Sequence, residues 1–172
     1  MLITLAVGLA IVMAVWLAAS RIDRLHRRVE NSWASLQLQL TRRASMALVA
    51  ARDGVWAPEV CAAVEAAARA ALVAPPHGRE HSQLTDVLRQ AMADPDQLER
   101  DLADPVRSAA LHEIGGAWYR ACLARRFLND AVCLARRLRS RRLVKVFHLA
   151  GRATLPVTCD IDDEPPDGLP LV

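Results

Sequence analysis

The chain has 172 residues, of which 53% are hydrophobic and 4% aromatic, and its formal net charge is +3. Because aromatic residues are few and no alternating run of β-branched residues is bounded by hairpin turns, strands are hard to place anywhere. The cysteines lack the close spacings of a disulfide or zinc framework, which favours free thiols in a reducing compartment. They are Cys61, Cys122, Cys133 and Cys159. The sequence predicts an all-α protein.

Residues Leu2 to Ala19 form an uninterrupted apolar run. As a helix this run rises ~27 Å, close to the ~30 Å hydrocarbon thickness of a bilayer. Four arginines follow it within nine residues, and basic residues that flank a span stay on the cytoplasmic side. We expect a single-pass anchor over residues 1–20 in the cell membrane, with the N-terminus outside and the remaining domain cytoplasmic. The alternative is a cleaved signal peptide, although Met1 to Thr4 contains no basic residue.

The first helix continues past the anchor, because neither proline nor glycine interrupts the chain between Ser20 and Asp53-Gly54. Apolar residues recur at steps of three and four and therefore share one helix face. These residues are Ile22, Leu25, Val29, Trp33, Leu36, Leu40, Ala44, Ala47 and Leu48. A face of this kind requires partner helices.

Start signals mark four further helices. Pro58 suits the first turn of a second helix that stops before Pro75, and Ser82 is the predicted N-cap of the third. Asp94-Pro95 and Asp104-Pro105 are start signals for the fourth and last helices, the last running to about Leu149. The expected inward positions are Val60, Val64, Leu72, Leu84, Val87, Leu88, Met92, Leu98, Leu102, Val106, Ile114, Trp118, Phe127, Leu128, Val132, Leu134, Ala135 and Leu138.

Two segments depart from helical patterning. Gly115-Gly116 weakens the last helix by ~1 kcal/mol per glycine relative to alanine, and predicts a kink or a close backbone crossing. Residues 153–172 are rich in acids and prolines, which predicts a flexible, solvated tail. The expected domains are therefore the anchor at 1–20, a helical domain at 21–152 and this tail.

Two blocks of the sequence resemble the LemA family. The first reads Arg28-Val29, Trp33, Leu36, Gln39-Leu40 and Arg42-Arg43, and the second is Ala124-Arg125-Arg126-Phe127-Leu128-Asn129-Asp130-Ala131-Val132. The resemblance implies a membrane-anchored, antiparallel up-and-down four-helix bundle without established enzymatic activity or cofactor. Trp33, Leu36, Leu40 and Phe127 are then expected to be core residues that hold the two blocks together. Departures include Leu128 in place of a tyrosine and no proline after Arg43.

Charge is segregated along the chain. The net charge is +5 over residues 21–52, −6 over 53–119, +9 over 120–152 and −5 over the remainder. Three interpretations of the arginine-rich stretch from Arg136 to Lys145 are open. It is a solvated helix face, a surface for anionic lipid headgroups or, least favoured, a nucleic-acid contact. A further hypothesis is that the acids of the tail fold back onto these arginines; they are Asp160, Asp162, Asp163 and Glu164.

No catalytic, metal-binding or cofactor-binding residue is predicted. His77 and His81 have a two-ligand spacing but no third ligand at a fixed distance, so a chance pair is favoured. We expect a scaffold or adaptor for membrane-associated proteins rather than an enzyme. The candidate interaction residues are Gln37, Gln39, Arg136, Arg137, Arg139, Arg141, Arg142 and Lys145. The alternative is that the arginine-rich end of the last helix binds or senses anionic lipid.

Overall fold

The computed structural model describes residues 1–140 and 154–171, apart from the side chains of Leu2 and Ile11. These residues form five α-helices and no strand, which confirms the all-α prediction. The helices are α1 (Leu2–Arg52), α2 (Pro58–Val73), α3 (Glu80–Ala91), α4 (Pro95–Ala103) and α5 (Pro105–Arg139). The predicted continuation of the last helix to Leu149 falls on residues 141–149, outside the described ones.

Helix α1 is a single helix of 51 residues, about 76 Å long at 1.5 Å per residue. Its N-terminal part is long and apolar enough to cross a membrane, and none of that apolar stretch is buried. Farther along the same helix, the predicted apolar face is buried at Val29, Leu36, Leu40, Ala44 and Ala47. The helix ends where expected, because Gly54 adopts a φ of +70° that side-chain-bearing residues rarely adopt.

Aspartate caps and prolines start three of the other helices at the predicted positions. Asp94 Oδ1 accepts hydrogen bonds from the backbone N–H groups of Asp96 and Gln97, at 3.0 and 3.3 Å. Asp104 Oδ1 does the same for the second and third residues of α5, and Pro58 is the first residue of α2. These caps satisfy N–H groups that have no partner within the helix.

The predicted N-cap of α3, Ser82, is wrong by three residues. The helix begins at Glu80, and the residue before it, Arg79, makes no side-chain cap. Ser82 lies inside the helix, and its hydroxyl oxygen accepts a hydrogen bond from the backbone N–H of Asp162, 80 residues away. A long-range contact therefore uses the hydroxyl that we expected to cap the helix.

The chain divides into two compact units. Unit 1 comprises Met1–Ser32 and Phe127–Thr158, and unit 2 comprises Trp33–Arg126 and Cys159–Val172. In unit 2, α2 packs against α3. The core of unit 2 combines alanine-rich faces with larger side chains, a composition that permits close helix packing. Its members include Ala44, Ala47, Ala50, Val64, Ala68, Ala71, Leu84, Leu88, Leu111, Ile114, Trp118 and Leu169.

Three predicted inward residues of α5 are exposed instead. The exposed fractions are 76% for Val106, 59% for Phe127 and 43% for Leu134. Leu128 and Ala135, each one residue farther along, are buried. Because neighbouring residues on a helix point 100° apart, an apolar residue next to the buried stripe is turned out of it. Phe127 is therefore not the core residue that the family block led us to expect.

Residues 159–171 of the predicted flexible tail pack against the helices of unit 2. Cys159, Ile161, Asp163 and Leu169 are buried. At Gly115 a Cβ atom would collide with the carbonyl oxygen of Pro170, so the predicted close backbone crossing is present. The composition predicted a solvated segment. Its spaced apolar residues are instead buried against the helices, and two of its acids pair with arginines. We call residues 159–171 the C-terminal segment.

Candidate functional site

A buried arginine lies at the centre of the polar contacts in unit 2. Helix α1 places Arg43 on its buried face, three residues after Leu40. The guanidinium donates to Thr85 Oγ1 at 3.1 Å and to the His81 carbonyl oxygen at 2.8 Å. Its Cζ atom lies 5.0 Å from the centroid of the Trp118 ring, within cation–π range. Burial lowers the pKa of Arg43 to about 10, so the core of unit 2 contains a cation at neutral pH.

Asp163 binds this region through both its side chain and its main chain. Arg125 Nε and Nη2 donate to the two carboxylate oxygens at 2.6 and 2.7 Å. The Asp163 carbonyl oxygen accepts from Trp118 Nε1 at 2.7 Å and from Cys122 Sγ at 3.1 Å. The hydrogen bond to Asp163 raises the pKa of Arg125. Helix α5 therefore holds Asp163 by four contacts from three side chains.

Helix α3 holds Asp162, the residue before Asp163, in a similar way. Arg89 donates to both carboxylate oxygens of Asp162, at 2.7 and 2.6 Å, and to the Glu164 carbonyl oxygen at 3.0 Å. The Asp162 backbone donates to Ser82 Oγ at 3.0 Å and accepts from Thr85 Oγ1 at 2.8 Å. The hydrogen bond to Arg89 lowers the pKa of Asp162. The C-terminal segment is thus held at Asp162 and Glu164 by three side chains of α3, those of Ser82, Thr85 and Arg89.

Three cysteines of unit 2, Cys61, Cys122 and Cys159, donate hydrogen bonds to backbone carbonyl oxygens. Burial raises the pKa of Cys122 to about 11, and burial likewise raises the pKa of Cys159. Cys159 Sγ donates to the Pro76 carbonyl oxygen at 3.4 Å. Because the thiolate is the nucleophilic form, Cys122 and Cys159 are poor nucleophiles at neutral pH.

The two histidines of the predicted chance pair have different surroundings. His81 is buried, and burial followed by the positive charge of Arg43 lowers its pKa, so the ring is neutral at pH 7. His77 is exposed and packs edge-on against Trp33, with ring centroids 6.4 Å apart. Trp33 itself is half-buried.

The predicted interaction residues fall into three groups. Gln37 is exposed on α1, whereas Gln39 is half-buried and its Oε1 atom is inaccessible. Arg136 and Arg139 donate to the carbonyl oxygens of Pro156 and Thr154, at 2.8 and 2.7 Å, and Arg137 is exposed. The remaining three lie outside the described residues; they are Arg141, Arg142 and Lys145.

The predicted return of the acids onto the Arg136–Lys145 stretch is wrong for two of them. Asp162 and Asp163 pair with Arg89 and Arg125. The physical reason is position, since Cys159 and Ile161 just before the two acids are buried, as is Asp163 itself, and this docking on unit 2 brings the carboxylates to its own arginines.

Each of the two blocks that resemble the LemA family contributes one arginine to this region. Arg43 comes from the first block and Arg125 from the second, whereas the adjacent Arg42 and Arg126 are exposed. Of the other motif residues, Val29, Leu36 and Leu40 are buried, Asn129 is half-buried and Asp130 is exposed. Arg43 had a recognisable signal, because it lies on the apolar stripe of α1. Ser82, Thr85 and Arg89 were missed because nothing local marks them as partners of a segment 73 to 80 residues away.

Unit 1 contains a separate basic cleft between α1 and α5. Its volume is about 530 Å³. Three arginines and three leucines line it: Arg21, Arg24, Leu25, Leu134, Arg137 and Leu138.

Comparison of the chain with protein-family models, with curated proteins and with solved structures finds no match in any of the three.

Proposed function

We propose that this protein is a non-catalytic, single-pass membrane scaffold that presents a cytoplasmic helical domain to other membrane-associated proteins. The observation that carries the proposal is the continuity of α1. One helix contains both the unburied apolar stretch near the N-terminus and the buried face that includes Leu36 and Leu40. No loop separates the anchor from the domain, so the domain is coupled to the anchor by a regular helix.

The proposed domain is an antiparallel, four-helix bundle of the LemA type, with α4 as a short addition. Within unit 1, Leu25 of α1 and Leu138 of α5 line the same cleft. Within unit 2, Arg43 of α1 lies against Trp118 of α5. Each pair supports packing of α1 on α5 within its own unit, and the antiparallel direction is what the LemA resemblance implies. The two motif blocks are the support for relationship to the LemA family.

The chemistry of the ionisable groups supports a binding role. Arg89 and Arg125 are committed to contacts that hold the C-terminal segment, and Arg43 is committed to Thr85 and the His81 carbonyl oxygen of α3. The thiols of Cys122 and Cys159 are protonated at neutral pH, because burial raises the pKa of both. These groups stabilise the domain and position no reactive atom.

The proposed contact surface is an exposed stripe of α1. Leu38 is 63% exposed and Val49 is 50% exposed, and Arg42 lies between them on the same helix face. Gln37 borders the stripe and is exposed. An apolar pair with a cation between them is suited to a partner helix with the opposite charge pattern.

Site-specific photocrosslinking tests the proposal. We would place a photoreactive amino acid at Gln37 of the full-length protein in native membranes and repeat the experiment with Leu38→Glu and with Val106→Glu. Val106, 76% exposed on α5, is the matched control. We expect one protein adduct that Leu38→Glu removes and Val106→Glu retains. Adducts that survive Leu38→Glu, or the absence of a protein adduct, would overturn the proposed surface.

A further inference from the structure

The geometry points to a binding site for one anionic phospholipid in the cleft of unit 1, and we call this site the lipid seat. Arg21, Arg24 and Arg137 bring three positive charges to this cleft, and among the described residues no acidic side chain lines it. The inference rests on the membrane anchor of the proposed function but is independent of any protein partner.

The depth of the cleft agrees with a lipid headgroup. If the apolar run ends at Ser20, the helix rises about 6 Å from there to Arg24. The headgroup layer on each side of a bilayer is about 5 to 7 Å deep. Arg21 and Arg24 therefore lie within that layer, and Arg137 of α5 joins them because it lines the same cleft.

The lining matches a phospholipid in its two chemistries. Guanidinium groups bind phosphate oxygens through paired hydrogen bonds, so three arginines suit a phosphodiester that bears a net negative charge. Leu138, next to Arg137 in α5, supplies apolar surface beside the phosphate for the glycerol backbone. Leu134 also lines the cleft and is 43% exposed, so a substitution there reaches the cleft without opening the core.

Native mass spectrometry of the full-length protein in a neutral detergent tests the seat. We would titrate phosphatidylglycerol, phosphatidylcholine and glycerol 3-phosphate separately and count the molecules bound. We expect one retained phosphatidylglycerol, at least tenfold weaker retention of phosphatidylcholine, and no competition from equimolar glycerol 3-phosphate. Equal retention of the two lipids would overturn the inference, and so would competition by glycerol 3-phosphate, which would indicate a site for free phosphate esters.

Charge-matched variants separate a defined seat from diffuse attraction. Each arginine near an anionic surface contributes about fivefold in affinity, so Arg21→Gln, Arg24→Gln and Arg137→Gln combined should weaken retention about 100-fold. The control combines Arg27→Gln, Arg28→Gln and Arg126→Gln, which removes the same charge at exposed positions outside the cleft lining. We expect less than a threefold change in the control, and equal loss in the two combinations would overturn the seat.

A second variant keeps the test valid if the triple variant is poorly folded. Leu134→Glu places a negative charge in the cleft at an already exposed position. We expect at least tenfold weaker retention of phosphatidylglycerol, whereas Val106→Glu should leave retention unchanged. Unchanged retention in Leu134→Glu would overturn the inference. The crosslinking result at Gln37 is read separately, so a failed seat and a failed adaptor role are distinguishable.

Discussion

Arg125 and Asp163 lie 38 residues apart in the chain and form an ion pair with two hydrogen bonds, of 2.6 and 2.7 Å. The side chain of Asp163 is 9% exposed and that of Arg125 is 22% exposed, so the pair is only partly solvated. Removing one partner leaves the other charge poorly compensated. This pair is therefore the contact whose loss should release the C-terminal segment most directly.

Asp163→Asn should lower the free energy of unfolding by about 2 to 3 kcal/mol, because it keeps the shape of the side chain but leaves Arg125 without its counter-charge. Urea unfolding of the full-length protein in detergent measures the change. Asp160→Asn is the control, since Asp160 is exposed, and it should change stability by less than about 0.5 kcal/mol. Equal effects of the two substitutions would show that the ion pair does not hold the segment.

Gly115→Ala and Gly116→Ala should have opposite effects. A Cβ at Gly115 collides with the Pro170 carbonyl, whereas at Gly116 it meets only the end of the Arg120 side chain, at 3.4 Å. Gly115→Ala should displace the end of the C-terminal segment and destabilise the protein. Gly116→Ala should stabilise it by up to about 1 kcal/mol through helix propensity. Thermal unfolding and amide exchange over residues 159–171 read both effects, and increased exchange in the Gly116 variant would contradict the assignment.

Trp33, which packs against His77, and Trp118, which packs against Arg43, should differ in how much their replacement by alanine lowers the free energy of unfolding. Trp118 is fully buried and its Nε1 donates to Asp163, so Trp118→Ala should cost about 3 to 5 kcal/mol. Trp33 is only half-buried, so Trp33→Ala should lower the free energy of unfolding by clearly less than the ~3 to 5 kcal/mol expected at a core position. Chemical unfolding of both variants makes the comparison, and a Trp33 cost equal to that of Trp118 would return Trp33 to the core.

His81 should make stability fall in mild acid. Because burial and then Arg43 lower its pKa in the folded state, the unfolded chain binds a proton first as the pH falls below about 6.5. Stability is then fully present above that pH and decreases from about 6.5 down to the lowered folded value. His81→Gln should flatten this part of the pH profile of urea unfolding. His112→Gln, at an exposed position, should leave the slope as in the wild type, and a steep profile in the His81 variant would contradict the mechanism.

Labelling of Cys133 tests the membrane topology. This thiol is free and exposed on α5. With the proposed N-out, C-in orientation, a membrane-impermeant maleimide should label it only after the cells are permeabilised. Cys133→Ser identifies the signal that belongs to this residue, and the intact mass of the purified protein shows whether residues 1–20 are retained. Labelling in intact cells would reverse the orientation.

Local patterns in the sequence were sufficient for the helices and for most of their ends. The apolar run, the steps of three and four in α1 and the Asp-Pro starts of α4 and α5 act within one or two turns, so they are legible without tertiary contacts. Arg43 was also legible as a residue of the buried stripe. The helix class and the apolar N-terminal stretch that could span a membrane were therefore determined by sequence alone.

Only the tertiary structure decided which arginines the acids of the C-terminal segment contact and which residues of the second LemA-like block are buried. Phe127 and Leu128 differ by one position and both are apolar, so composition cannot say which of them is buried. Asp162 and Asp163 had several arginines available, and the docking of neighbouring apolar residues selected Arg89 and Arg125. Attraction between charges acts over a long range, so the sequence does not show which acid pairs with which arginine. Burial of the spaced apolar side chains decides which charges meet.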